Sequence, residues 1–462
     1  MKNILIIVFV CLSAGSLFAQ EEIISLTLEE AQEYALENNK TLINAHKDIQ
    51  LASEQIKEAK GSGLPQANAS LDYMTNFNYE MALDFGSGTS TDYSQYLENP
   101  LFDQGDIAVF GSVMQVLGSS SSSNIVMKDQ ANANIQVTQL IFSGQYWVGI
   151  QMAKLAKEIA EKNLLTTEIS VKETVGNLYY GILASQEYIK ILEHMLVNNK
   201  DILKRTTDMY KKGLAEEIDV DQFKMVISQL ENSKKSIERS LEYSYNTFRF
   251  VLGIESGKEI ILKDNLDKFI GYVNEDQLIK TNLDLNNNPT YQLVETQEEI
   301  SKKNITMQKW AYGPTISGYY SYTEKLLTTT FDLSPKNAAG LTLSLPIISG
   351  GTKRAQLNQA KIELDKASRS KYLLEEQLTL EDKQLTFEVK NAHDNYITQK
   401  ENVEVAKRVY ENINNKYNQG LVSSLDLTQA NNNYLQAENN YISAVINLLQ
   451  SKLKLDKLHN NL

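Results

Sequence analysis

Apolar residues in the second half of the chain recur in alternating steps of three and four. Val389, Ala392, Tyr396, Gln399, Val403, Ala406, Tyr410, Ile413 and Tyr417 follow this spacing, the heptad seam of a coiled coil. A second seam runs back after Gly420, from Leu427 through Tyr434, Tyr441 and Leu448 to Leu455. The first half carries the same two seams, softened by polar members: Ile182, Leu192, Leu196, Asn199, Thr206 and Tyr210 before Gly213, then Val220, Phe223, Ile227, Leu230, Lys234 and Phe248 after it. Each half therefore predicts a helical hairpin bent at a glycine. A helix of roughly 67 residues is about 100 Å long at 1.5 Å per residue. Two more helices are expected. Thr27 and Glu30 form a capping box before a periodic run to Lys60, and Asn288-Pro289 offers a cap and a first-turn proline before a run to Trp310.

Between the helices the period switches to two. From Pro65, Ala67, Ala69, Leu71, Tyr73, Thr75, Phe77, Tyr79, Met81 and Leu83 share one face, against Asn68, Ser70, Asp72, Asn76 and Glu80 on the other. This predicts a single long strand with one apolar side. Alternation returns at Ala133 to Ile141, at Thr315 to Glu324, and at Ala339 to Leu345 before Pro346. Two strand hairpins result.

The chain repeats itself. Tyr210, Gly213, Leu214, Asp219, Val220 and Gln222 recur 207 positions later as Tyr417, Gly420, Leu421, Asp426, Leu427 and Gln429. Ile141-Phe142-Ser143-Gly144 recurs 206 positions later as Ile347-Ile348-Ser349-Gly350. Two motifs in the same order at nearly one offset indicate a duplication, so residues 20–253 and 288–462 form two repeats of one fold. The hairpin between Pro65 and Gly144 is 43 residues longer than that between Pro314 and Gly350. The excess falls at 84–130, with GSGTST and GSSSSSN, and predicts a long exposed loop. Residues 254–287 join the repeats as a linker packed on the outside.

Six prolines fall only at the edges of this plan. None lies between 101 and 288 or beyond 346, which leaves room for very long helices. Residues 1–19, with Lys2, the apolar run Ile4 to Cys11 and a small-residue site at Ala19, predict a signal peptide and hence export. Val10 before Cys11 argues against a lipid anchor. With Cys11 removed the chain has no cysteine, so disulfides and thiolate metal sites are excluded. Loss of Lys2 leaves 44 basic and 58 acidic residues, a charge of −14, which disfavours nucleic acid as a partner. No other segment has the ~18 apolar residues of a spanning helix. Entry into a membrane must therefore use strands.

Four strands with one apolar face cannot close a barrel alone, and open edges are not tolerated in lipid. Several copies must share one barrel: two copies give 8 strands, three give 12. A soluble strand-rich cap on a coiled-coil rod is the alternative. The layout resembles the TolC family of outer-membrane efflux proteins. The resemblance rests on LTLEEAQEYALENN opening the first helix, LPQANASLDY leading into the first strand, the ISG ends of the hairpins and the paired Y-x-x-G-L-x-x-x-[IL]-D tips, and it spans essentially the whole exported chain. It implies a mainly α fold with a β-barrel part: a homotrimer with a 12-stranded outer-membrane barrel in lipid and a periplasmic helical tunnel. It also implies docking to a periplasmic adaptor (membrane fusion protein) that serves an inner-membrane antiporter or ABC exporter.

The resemblance assigns adaptor docking to Lys212, Gly213, Leu214 and Ala215 and to Gln419, Gly420, Leu421 and Val422. It assigns a periplasmic gate to Asp219, Tyr417, Asp426 and Gln429, with Tyr417 linking toward Asp219 and Asp426 forming a carboxylate ring in the lumen. Gln429 stands where a second acidic ring can occur, and Val422 where a basic latch residue can occur, so a less charged gate is expected. His46, His194, His393 and His459 are isolated, and no phosphate loop, G-x-S-x-G or metal-ligand cluster appears. No enzyme activity, metal or cofactor is expected. The expected function is a passive exit duct for efflux or type I secretion; a surface or periplasmic coiled-coil scaffold with an adhesive loop at 84–130 is the alternative.

Overall fold

A computed structural model describes residues 23–75, 79–83, 123–127, 129–270, 283–327 and 335–462, with positions 77, 105, 108–109 and 112–113. The expected signal peptide and most of the 84–130 loop lie outside the described residues. The chain divides into a helical unit and a strand unit, with boundaries at Ile56/Lys57, Ile150/Gln151, Ile305/Thr306 and Ala355/Gln356.

The elements follow the duplication. The short strand β1 (Ile24–Leu26) precedes α1 (Leu28–Asn38) and α2 (Lys40–Gly61); β2 (Gln66–Met74), β3 (Tyr79–Leu83), β4 (Ser123–Met127) and β5 (Gln130–Ser143) follow. The long helix α3 (Gly144–Lys211) turns into α4 (Glu217–Leu252). After β6 (Ile260–Leu262), α5 (Leu266–Ile270) and a 3₁₀ turn at Leu285–Asn287, the second repeat runs α6 (Pro289–Trp310), β7 (Thr315–Leu327), β8 (Asn337–Ser344), α7 (Thr352–Asn418) and α8 (Ser424–Leu458).

In the helical unit the seams are the buried stripes. Every seam position named in α7 and α8 is buried or half-buried, as are those of α3 and α4 apart from Tyr210, which is 44% exposed. The four strips thus pack by side-chain interlocking rather than by propensity alone. Asn288 caps α6 as expected, accepting from the Thr290 and Tyr291 amides at 3.0 and 3.1 Å.

One expectation for this unit is corrected. The first helix is not continuous to Lys60. Its capping box forms, but Asn39 breaks it: the Asn39 side chain donates to Val251 O at 2.7 Å and accepts from the Thr41 and Leu42 amides, ending α1 and capping α2. The segment after Gly253 packs closely on the helical unit. Its β6 pairs in parallel with β1, and Leu266 and Phe269 enter the core. Phe269 meets the rings of Tyr179 and Tyr180 edge-on at 6.1 and 5.1 Å. Asp264 accepts from the Leu28 amide, the Tyr179 hydroxyl and Lys268, each at 2.9 Å, which ties this segment to the start of α1. Residues 271–282 lie outside the described residues.

The strand unit holds one four-stranded antiparallel sheet in the order β2-β5-β7-β8. Its two hairpins share one register: Gln66 opposes Thr138, and their repeat counterparts Thr315 and Ser344 oppose each other. The sequence placed one strand from Ala67 to Leu83; it is two. β2 ends at Met74, and Asp129 accepts the hydroxyls of Tyr73 and Thr75, each at 2.7 Å. Phe77 then takes a left-handed φ of 50°, and β3 pairs with β4 in a separate two-stranded sheet. The 84–130 loop is shortened accordingly, since β4 lies inside its expected span. Apolar residues on the outer strands stand open: Leu71 and Leu341 are 71% and 77% exposed.

Candidate functional site

The two interhelical turns are built alike. Gly213 (φ +74°) and Gly420 (φ +72°) take the left-handed conformation that side chains resist. At the first turn the Gly213 amide donates to Tyr210 O and the Leu214 amide to Met209 O, both at 2.9 Å. At the second, Gly420 donates to Tyr417 O at 2.9 Å and Leu421 to Lys416 O at 3.0 Å. This paired bonding satisfies the last carbonyls of each outgoing helix.

Aspartates cap the returning helices. Asp219 accepts from the Glu216 amide at 2.9 Å. Asp426 accepts from the Ser423 amide at 3.0 Å while its own amide donates to the Ser423 hydroxyl at 3.2 Å. The Ser423 hydroxyl and backbone hold the Asp426 carboxyl below the usual carboxylate range.

Beyond these caps the two turns differ. Ser424, buried at the start of α8, bonds the Asp219 carboxylate and lies 2.9 Å from the Gln222 side-chain oxygen. Asp219 thus ties α4 to α8, whereas Asp426 is exposed. The expected link from Tyr417 to Asp219 is not the contact formed. Tyr417 is 6% exposed and its hydroxyl meets Thr206 Oγ1 at 2.8 Å; its ring packs edge-on against Phe223 at 5.8 Å. Burial pushes its phenol up, the Asp219 charge adds to this, and the Thr206 bond opposes it. Gln429 stands exposed and donates to Asn433 at 2.8 Å.

A cleft of about 490 Å³ opens between the turns. Gly213, Leu214, Ala215, Asp219, Tyr417, Gly420 and Val422 line it. Lys212, Gln419, Leu421, Asp426 and Gln429 do not. Leu214 and Leu421 are 69% and 68% exposed, with no core to join. Ile218 and Leu425, also exposed, stand beside them. Neither was legible as a surface residue from the sequence, although the [IL] of the duplicated motif marks both. Thr206 was legible only as a seam position and Gln222 only as part of the duplicated motif, and nothing singled out Ser424, because their partners lie more than 200 positions away.

Among the described residues no helix is long and apolar enough to cross a membrane, and no group of acidic, histidine or cysteine side chains is disposed to hold a metal.

Residues 282–461 match the family model described as outer membrane efflux protein. The chain is similar to the outer membrane protein TolC of Salmonella enteritidis, 21% identical over 386 residues, covering 80% of this chain and 68% of that protein. In fold it is similar to CusC (TM-score 0.70, 16% identity, covering 96% of this chain and 95% of that one). It is also similar to the outer membrane protein VceC of Vibrio cholerae (0.68, 15%, 94% and 96%) and to the MtrE outer membrane channel of Neisseria gonorrhoeae (0.69, 15%, 93% and 88%).

Proposed function

We propose, on the premise that the chain is an outer membrane efflux protein of the TolC family, that three copies form a passive exit duct through the outer membrane. One observation carries this reading. The four-stranded sheet ends in two edge strands, β2 and β8, whose outer edges have no partner among the described residues, and it displays bare apolar side chains. Lipid accepts such a sheet only when further copies close it, and three copies give the 12 strands expected of a water-filled barrel.

The helical hairpins then form the periplasmic part. Leu214, Ile218, Leu421 and Leu425, exposed beside rigid turns, dock a periplasmic adaptor, with Lys212, Gly213, Ala215, Gln419, Gly420 and Val422 shaping the same surface. The adaptor connects the duct to an inner-membrane antiporter or ABC exporter, which supplies the energy. In the resting state the Tyr417–Thr206 and Ser424–Asp219 contacts hold the two hairpins of each copy together. Asp426 carries a carboxylate ring and Gln429 a neutral one, a gate selective for cations by its single charged ring. Single-channel recording of the purified protein in planar lipid bilayers tests the reading: discrete cation-selective steps are expected, and the absence of any conductance overturns it.

A further inference from the structure

The duplication supplies a template for the seam between copies. Within one chain the two hairpins superpose in register. β2 and β7 correspond at an offset of 249 (Gln66 with Thr315), and β5 and β8 at an offset of 206 (Thr138 with Ser344). One further pairing joins the hairpins, β5 to β7, and it too is antiparallel. Its repeat counterpart is β8 against β2. Inside a single chain that pairing cannot be made, because β2 and β8 are the opposite edges of the sheet.

We infer that β8 of one copy pairs with β2 of the next in the register that β5 and β7 already display. Val137 opposes Tyr320 and Ile135 opposes Tyr322. Transferred by the two offsets, Leu343 opposes Leu71 and Leu341 opposes Tyr73 of the neighbouring copy. The transferred register also matches the other face, setting Thr342 against Asp72 and Ser344 against Ser70. An odd slip would turn apolar residues to the polar side, but a slip of two would not, so the side-chain pattern alone leaves several registers and the template selects one.

A second observation points the same way. β5 continues past the end of β2 to Ser143, and its last residues pair only with β7. Phe142 there opposes Ile316 and packs edge-on against Trp310 at 6.1 Å. The counterpart stretch after β8, Leu345 to Ser349, has no strand pairing, and Ile347 and Ile348 are 87% and 90% exposed. Such bare isoleucines are what an unfilled half of a strand pair leaves. In the transferred register Ile348 lies opposite Ala67 of the neighbour and the stretch completes β8. β5 and β7 shift register between Leu140 and Phe142, so Ile347 takes the bulged place of Ile141. Pro346 falls beside that bulge, one of the few positions where a strand accepts a residue without an amide proton.

This inference rests on the multi-copy barrel proposed above, and disulfide crosslinking separates the two. Cys11 is the one cysteine of the chain, so a Cys11→Ala background reports only introduced pairs. Leu71→Cys is combined in turn with Leu343→Cys, Leu341→Cys and Leu345→Cys, and Ala67→Cys with Ile348→Cys. Membranes are oxidised, and the oligomer is checked separately by size in detergent; each single-cysteine variant must assemble as the parent does. A slip of two residues moves a strand by about 6.8 Å, which takes Cα atoms beyond disulfide reach. Intercopy crosslinks forming in most of the protein for 71/343 and 67/348, and in little of it for 71/341 and 71/345, are expected. Strongest crosslinking at 71/341 or 71/345, or intact oligomers that crosslink in none of the pairs, overturns the register while the barrel stands. A chain that stays monomeric overturns both.

Discussion

The hydroxyl of Tyr417 lies 2.8 Å from that of Thr206, joining the second hairpin to the first, while the repeat counterpart of Tyr417, Tyr210, stands 44% exposed. Duplication made two equal turns, and one of the two tyrosines became a fastening. Removing it by Tyr417→Phe costs about 1 kcal/mol, the net worth of a neutral hydrogen bond. If the contact holds the resting state, this corresponds to about a fivefold rise in the ratio of open to closed channel. Thr206→Val has the same effect, and the double variant adds little, which single-channel open probability in a double-mutant cycle measures.

Ser424→Ala leaves the Asp219 carboxylate and the Gln222 amide without their shared partner. A bond to a charged group is worth about 1.5–3 kcal/mol, so the change exceeds that of Tyr417→Phe. It lowers the thermal midpoint of the purified protein and raises conductance further. Asp426→Asn, on an exposed residue, alters cation selectivity and has the smaller effect on the midpoint.

At the turns, surface and backbone separate. Leu214→Ser, Ile218→Ser, Leu421→Ser and Leu425→Ser alter exposed side chains and leave stability within about 0.5 kcal/mol. Adaptor binding, measured by co-purification or surface resonance, falls at least about tenfold, as for the loss of an apolar anchor. Gly213→Ala and Gly420→Ala act through φ instead, each costing about 1–2 kcal/mol.

A pH effect is built into the second hairpin. Burial pushes the Glu438 carboxyl above its usual range, against the opposing influence of Tyr434 and Lys407. The folded protein therefore binds this proton more readily than the unfolded chain does. Stability from this group is lost as pH rises through the window between its unfolded and folded values. Glu438→Gln raises the thermal midpoint at pH 7.5 and leaves it nearly unchanged at pH 4, where the wild-type group is already neutral.

The helical seams were legible because each is a period that many residues repeat. Val389, Tyr396, Tyr410 and Tyr417 are buried where their spacing put them, and the strand hairpins and their kinship were readable from alternation and offset. Breaks decided by a single distant partner were not. Asn39 ends α1 because Val251 O is at hand, and β2 stops where Asp129 takes two hydroxyls. The three-residue strands β1 and β6 are too short to carry a period. At the turns the glycines, leucines and aspartates were readable from their duplication. The contacts that join them, through Thr206 and Ser424, were not, because those positions differ between the repeats.

The most direct measurement is the mass of the particle extracted from the outer membrane, by native mass spectrometry in mild detergent. Three chains per particle are predicted, with no lighter species at working concentration. A monomer, or a particle of two chains, would contradict a 12-stranded barrel and with it the exit duct.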